Sequence, residues 1–293
     1  MTAVTMDEVR ARARTFGADL VGVADWAALE VAAPEYDKPS AHSVHLTRVI
    51  VLGRRILTGV AACSNRALQQ YNLGRTVLQL EETASKLAYW LESQKHMAVV
   101  LSTLVPDSRT QPPGFASPAG QGSLLIRQAA VQAGLGTIGL NGMLLTPEFG
   151  PRLFLMGVLT NLELEAGPPM ERPLCLGPVE CGRCVKACPV QAIPGQLAPN
   201  APDEWVEAFR ADTCASQCQP HGPESLVSFL LRASTLPMEQ RLALIQESDE
   251  AQRLFHGVTV LRHGAFTGCM QCELACPVGH DYPKLEARLR RDV

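Results

Sequence analysis

The sequence predicts an α/β (α+β) layer domain followed by a cysteine-rich region, and three observations carry that prediction. Helix-like and strand-like apolar patterns alternate through the first part of the chain, Gly167-Pro168-Pro169 then reads as a linker, and eight of the ten cysteines gather beyond it in ligand-like spacings. The expected division is therefore 1–168 and 169–293.

The elements follow in order. Met6 to Phe16 has a helical pattern stopped by Gly17, and Asp19 to Val23 reads as a buried strand. His45 to Gly53 holds the apolar run Val49-Ile50-Val51-Leu52, a second buried strand. Between Ala67 and Gln94, the apolar positions Val77, Leu80, Ala84, Leu87, Ala88 and Leu91 fall on one face of a long helix. Met97 to Leu104 predicts a strand, Pro106 to Gly122 a long loop, Ser123 to Ala133 a helix, and Arg152 to Asn161 a last strand. In the cysteine-rich region, regular apolar patterning is confined to Glu224 to Ile245.

A chain of 293 residues that is 46% hydrophobic can bury a sizeable core without disulfides. A formal net charge of -3 gives no general attraction to nucleic acid or to anionic lipid. Asp7, Glu8, Arg10, Arg12 and Arg14 interrupt the place where an export signal needs an apolar segment. The longest apolar runs fall well short of the roughly 20 residues that span a bilayer. A cytoplasmic protein with neither membrane nor nucleic-acid partner is expected, its thiols reduced and used for metal.

Those thiols fall into two motifs, Cys175-x5-Cys181-x2-Cys184-x3-Cys188-Pro189 and Cys214, a long insertion, then Cys269-x2-Cys272-x3-Cys276-Pro277. In two-cluster ferredoxins, the cysteine before proline turns away from its own motif and ligates the other cluster. Two 4Fe-4S clusters are expected on that logic: one on Cys175, Cys181, Cys184 and Cys276, the other on Cys188, Cys214, Cys269 and Cys272. A pair of four-cysteine zinc sites is the competing reading. The five-residue first spacing departs from the usual two. Without Cys175, the first cluster would be a three-iron form or would recruit Cys218. Otherwise Cys218 is a spare thiol, and Cys63 an ordinary buried one. The histidines form no compact metal motif, although His221 and His280 lie close to cysteines in sequence.

Gly134-Leu135-Gly136-Thr137-Ile138-Gly139 fits GxGxxG, but a helix precedes it where a dinucleotide fingerprint needs a strand. A tight turn is the simpler expectation. The segment from Ala133 to Arg152, AGLGTIGLNGMLLTPEFGPR, followed by the two cysteine motifs, resembles the epoxyqueuosine reductase and reductive dehalogenase superfamily. Gly17-Ala18-Asp19-Leu20-Val21-Gly22-Val23 and Tyr71-x2-Gly74-Arg75 resemble it too.

That resemblance implies a nitroreductase-like domain holding cobalamin and a ferredoxin-like domain feeding it electrons. It places Gly134, Gly136, Gly139, Asn141 and Gly142 at the corrinoid. Where epoxyqueuosine reductases carry an acidic residue before this helix, this chain has Gly120, and Val77 and Leu78 stand in place of an aromatic-histidine pair. Only 16 residues follow Pro277, so the helical-repeat extension of tRNA-acting members is not expected. Leu144 to Arg152 looks closer to reductive dehalogenases, whose export signal is not seen here and whose catalytic tyrosine has no secure counterpart.

A cobalamin-dependent reductase of a small electrophilic substrate is the leading expectation, served by an external donor such as ferredoxin or flavodoxin. Tyr71, Asp107, Arg109 and Arg127 are its candidate catalytic residues. An electron-transfer protein or reductive activator without substrate chemistry of its own is the alternative, and a flavin reductase a third.

Overall fold

The computed structural model describes residues 4–32, 43, 45–101, 124–195, 208–210, 213–214, 217, 223–259 and 269–279. Helix α1 (Met6–Phe16) starts at a capping box, in which the Thr5 side chain accepts from the Glu8 amide and the Glu8 carboxylate accepts from the Thr5 amide. Gly17 ends it in the left-handed conformation, its amide bonded to Ala13 and Arg14. Strand β1 (Leu20–Asp25) follows, then α2 (Trp26–Ala32), β2 (Arg48–Arg55), α3 (Thr58–Ala61), α4 (Arg66–Ser93) and β3 (Ala98–Leu101). Next come α5 (Leu124–Gln132), the short strands β4 (Thr137–Ile138) and β5 (Leu144–Leu145), and β6 (Leu153–Thr160).

The four long strands form one sheet in the order β1-β2-β6-β3, with every neighbouring pair antiparallel. Val21 faces Leu52, Ile50 faces Val158, and Val100 also faces Val158 from the far side. The arrangement is therefore α+β. Alternation of helices and strands along a chain does not fix strand direction. Here β2 and β3 run parallel to one another, with the later β6 inserted between them.

Helices cover both faces. On one, Leu80, Ala84, Leu87 and Leu91 of α4, with Val9 and Ala13 of α1, pack on Ile50, Leu52, Met156 and Val158. On the other, Leu29 of α2 and Ile126, Ala129, Ala130 and Ala133 at α5 pack on Val49, Val51 and Leu159. Burial on both faces explains why β2 is continuously apolar rather than alternating. Each such side chain contributes about 1.5–3 kcal/mol when fully buried. Asn65 caps α4 by accepting from the Leu68 amide, and Thr83 donates to the Phe16 carbonyl, fastening α4 to the end of α1.

Three expectations change. Helix α2 was not legible, because it follows β1 without a break; Asp25 caps it by accepting from the Ala27 amide. Strand β3 has four residues, and 102–104 lie outside the described residues. The helical part of the cysteine-rich region extends past Ile245: α8 (Pro223–Thr235), α9 (Met238–Glu247) and α10 (Asp249–Thr259) bury Phe229, Ala251 and Leu254 among themselves. Among the described side chains of α10, Ala251 and Leu254 are buried. The short helices α6 (Gly177–Glu180), α7 (Arg183–Ala187) and α11 (Gln271–Ala275) carry or flank the thiols. The predicted linker lies against the sheet region, with the Gly167 amide donating to the Val23 carbonyl.

Candidate functional site

The site is built where the glycine segment meets the cysteines. After α5 the chain turns through Gly134 into the β4–β5 hairpin, whose turn is closed by Gly139 N to Met143 O at 2.8 Å and Gly142 N to Gly139 O at 2.8 Å. A Cβ on Gly136 would stand 2.0 Å from the Leu145 carbonyl oxygen, and one on Gly134 would stand 2.3 Å from that of Pro168. Gly139 is crowded by Asn141 and Leu145. These three glycines serve the hairpin's own packing. Gly142 differs, with open space around its Cβ position and a φ of +72°.

The turn presents three groups. Leu140 is 2% exposed and forms a small buried cluster with Ile193, against which Cys175, Cys184, Cys188 and Cys272 pack, so the cluster lies beside residues of both motifs. Asn141 is 5% exposed; its Oδ1 accepts from the Met143 amide at 3.3 Å, while its Nδ2 has no partner. Arg127, reaching over from α5, donates from Nη1 to the Gly142 carbonyl at 2.7 Å, and burial lowers its pKa from the usual guanidinium value. The Leu174 amide donates to Thr137 Oγ1 at 2.9 Å, fixing the approach to Cys175.

The thiols act on one another. Cys184 is pushed up to about 12, by burial first and then by the neighbouring Cys175, Cys276 and Cys181. Cys272 is pushed up further, by burial and then by Glu273, Cys214, Cys269 and Cys184. Cys276 is raised by burial, partly offset by the Val278 amide and Arg152, with Cys175 and Cys181 adding to the rise. Sulfur of Cys188 accepts from the Ala192 amide at 3.2 Å. Burial and mutual proximity thus both disfavour the charged form of these thiols. Among the described residues, no three His, Cys, Asp or Glu side chains converge closely enough to hold a single metal ion.

No family model matches the chain. Over 89 residues it is 42% identical to the tetrachloroethene reductive dehalogenase of Dehalobacter restrictus, a stretch covering 29% of this chain and 16% of that protein. Over 231 residues it is 27% identical to the epoxyqueuosine reductase of Gloeobacter violaceus, covering 78% of this chain and 54% of that protein. The chain is related to both groups of reductases. Epoxyqueuosine reductase from Bacillus subtilis matches in structure with a TM-score of 0.52 at 17% identity, covering 94% of this chain and 65% of that one. A second epoxyqueuosine reductase structure, containing a tRNA-Tyr stem loop, matches with a TM-score of 0.50 at 18% identity over 93% of this chain and 64% of that one. At those identities the likeness shows a shared fold. This relative of the reductases spans from about a sixth to about half the length of the two curated proteins.

The remaining candidates are scattered. Tyr71 is 54% exposed on α4. Asp107, Arg109, Gly120, Cys218, His221 and His280 lie outside the described residues. Cys63 is half-buried rather than buried, because it follows α3 in a loop, where its thiol faces the Asn65 carbonyl at 3.5 Å. No helix among the described residues is long and apolar enough to cross a membrane.

Two residues escaped the sequence reading. Leu140 looks like any apolar residue in a turn. Arg152 looks like a charged flank of a strand, yet it is 2% exposed. Its Nη1 donates to the carbonyls of Glu273 at 2.9 Å and Cys276 at 3.0 Å, and its Nη2 to that of Val278 at 2.5 Å. Glu273 is buried beside it, its carboxyl pushed up to about 8 by burial, against the lowering effect of Arg152. A basic residue just before an apolar run, inside Gly150-Pro151-Arg152-Leu153, was the one available signal.

Proposed function

We propose that this chain is an iron-sulfur reductase in which two 4Fe-4S clusters deliver electrons to a cobalamin held at the 139–143 turn, for reduction of a small electrophilic substrate. The observation that carries the reading is the buried cluster of Leu140 and Ile193, which sets that turn beside cysteines of both motifs. In this reading residues 1–168 form the nitroreductase-like domain and 169–293 the ferredoxin-like domain. Cys175, Cys181, Cys184 and Cys276 hold the first cluster, and Cys188, Cys214, Cys269 and Cys272 the second.

The donor set fits. Cys184 is under the influence of Cys175, Cys181 and Cys276, and Cys272 under that of Cys214, Cys269 and Cys184, so thiols of both motifs gather in one region, as a two-cluster centre needs. Toward cobalamin the fit is narrower: Asn141, with its orphaned buried donor, and Gly142, with open space, suit a large polar ring. Gly134, Gly136 and Gly139 would shape the hairpin that carries them, each Cβ position being taken up by the fold itself.

Cobalamin, when bound, supplies the metal-centred reductive chemistry that side chains lack. The chain's own residues provide the setting. Leu140 excludes water between the turn and the thiols, lowering the local dielectric. Asn141 Nδ2 offers a hydrogen bond, and the Arg127 guanidinium offers donors and a fixed positive charge but no transferable proton. Proton supply falls to Tyr71 or Asp107, with Arg109 orienting substrate. Electrons arrive from a ferredoxin or flavodoxin at the exposed side of the cysteine-rich region, and a soluble cytoplasmic setting suits such a donor.

Anaerobic purification, iron and sulfide counts, and cobalamin titration followed by electron paramagnetic resonance test the proposal. Iron and sulfide for two clusters with a shifted cobalt signal is the expected result. Two clusters with no cobalamin response would sink the corrinoid step and leave an electron-transfer protein, and zinc in place of iron would overturn the reading. Release of the cobalt signal shift by a tRNA stem loop, but not by small electrophiles, would replace the substrate class.

A further inference from the structure

The residue linking the sheet region to the second cysteine motif is Arg152, and its placement is unusual in cost. A buried guanidinium carries a desolvation penalty of several kcal/mol, and an apolar residue could fill the same space. What the charge does there is specific. The side chain leaves the start of β6, while its own carbonyl accepts from the Ile56 amide at 2.9 Å, anchoring it at the end of β2. Its fork then reaches the carbonyls of Glu273, Cys276 and Val278, which belong to the last turn of α11 and the segment leaving it. The Glu273 carbonyl also accepts from the Cys276 amide at 3.4 Å, and Arg152 adds donors to it and to the two carbonyls beyond it, fastening the end of α11.

Two glycines bring the chains together for this. Gly150, at a φ of +58°, would put a Cβ 1.9 Å from the Val278 oxygen, and Gly279 would put one 2.6 Å from Arg152 Nη2. The segment around Cys276 is thus pressed, backbone to backbone, onto the turn before β6. The planar fork serves the three carbonyls from two separate nitrogens at fixed spacing, whereas a lysine ammonium places its three donors on one shorter-reaching atom. A cluster ligated by Cys276 would have that fixed positive charge close to one of its sulfurs.

We propose that Arg152 is a positioning residue that holds Cys276 in place and raises the reduction potential of the cluster Cys276 serves, leaving the other cluster's potential unchanged. The inference rests on the two-cluster reading above. Reduction adds negative charge to a cluster, and a buried cation beside a ligand stabilises that state; net charge and hydrogen bonding are the levers that set such potentials. No atoms move in this step beyond the one electron supplied by the external donor.

The test uses the full chain purified without oxygen, as wild type, Arg152→Gln, Arg152→Lys and Cys276→Ser, with a redox titration read by electron paramagnetic resonance and iron loss measured against a chelator. Arg152→Gln should lower one of the two potentials, the same one that Cys276→Ser moves, and lose iron to chelator roughly 10- to 100-fold more readily. Arg152→Lys, which keeps the charge but not the fork, should restore most of the potential and little of the iron retention. Should the glutamine variant not fold, the lysine variant carries the test through that same split. Two unchanged potentials, or both moving together, would overturn the inference. A wild-type protein without two clusters fails at the first measurement, before any variant is made, and overturns the two-cluster reading itself.

Discussion

The sheet region and the cysteine-rich region are built on different physics. In the first, both faces of a four-stranded sheet are sealed by helices, and Ile50, Leu52, Leu80, Leu87 and Leu91 are all fully buried. In the second, the described residues hold few buried apolar side chains, chiefly Ile193, Phe229, Leu254 and Met270. Its short helices α6, α7 and α11 are four or five residues long, below the length at which helices stand alone. The difference teaches where order comes from. One region is ordered by excluding water; the other needs cross-links, and its thiols and Arg152 are the groups positioned to supply them.

The comparison breaks most sharply on metal removal. Stripping metal should unfold the thiol segments while the sheet stays intact, because metal-binding energy is folding energy in such sites, about 10–16 kcal/mol for structural zinc. Hydrogen exchange read by mass spectrometry should show residues 174–193 and 269–279 losing protection while β2 and β6 keep theirs. Uniform loss across both regions would show one cooperative unit instead. In the opposite direction, Leu87→Ala should cost about 2–5 kcal/mol in a denaturant titration and leave iron content unchanged. A fall in iron matching the fall in stability would join the two regions.

The β4–β5 hairpin belongs to both regions, so Gly136→Ala should be felt in both. Its Cβ would meet a backbone carbonyl that cannot swing aside, at a cost of about 1–3 kcal/mol, and displacement of Leu140 should speed iron loss. Normal iron retention in a destabilised variant would separate the turn from the thiols. The mildest effect is expected at Thr5→Ala, which removes half of the capping box on α1 for about 1 kcal/mol, visible as a lower melting temperature with no change in the cluster spectrum.

The same contrast governs what could be read in advance. Apolar periodicity located α1, α4, α5 and the strands β1, β2 and β6 because each packs one stripe or one run against a core, and burial leaves a mark in composition. It missed α2, whose cap Asp25 sits inside the preceding strand, and most of α10, where, among the described side chains, Ala251 and Leu254 are buried. Strand direction was invisible, since β6 joins its neighbours β2 and β3 only after the whole of α5 and the hairpin have been made. Thiol spacing marked which cysteines belong to a motif, because metal ligands have side-chain identities and spacings that a sequence displays. Arg152 gave no such sign, because its partners are backbone carbonyls far along the chain, and a carbonyl has no side-chain identity to read. Gly134, Gly136 and Gly139 also have local reasons to be glycine, because a Cβ at each would meet neighbouring backbone or side chains.

Between Cys184 and Cys276, whose charges influence one another, the chain makes the helices α8 to α10. A ribosome adding roughly 5–20 residues per second must finish all of that insertion before the second thiol exists. The earlier cysteines therefore wait for seconds with their neighbourhood incomplete, long enough to meet oxidants or the wrong metal. Any centre built from thiols of both motifs would be assembled late in the life of the nascent chain, and its yield would depend on what shields the first thiols in the interval.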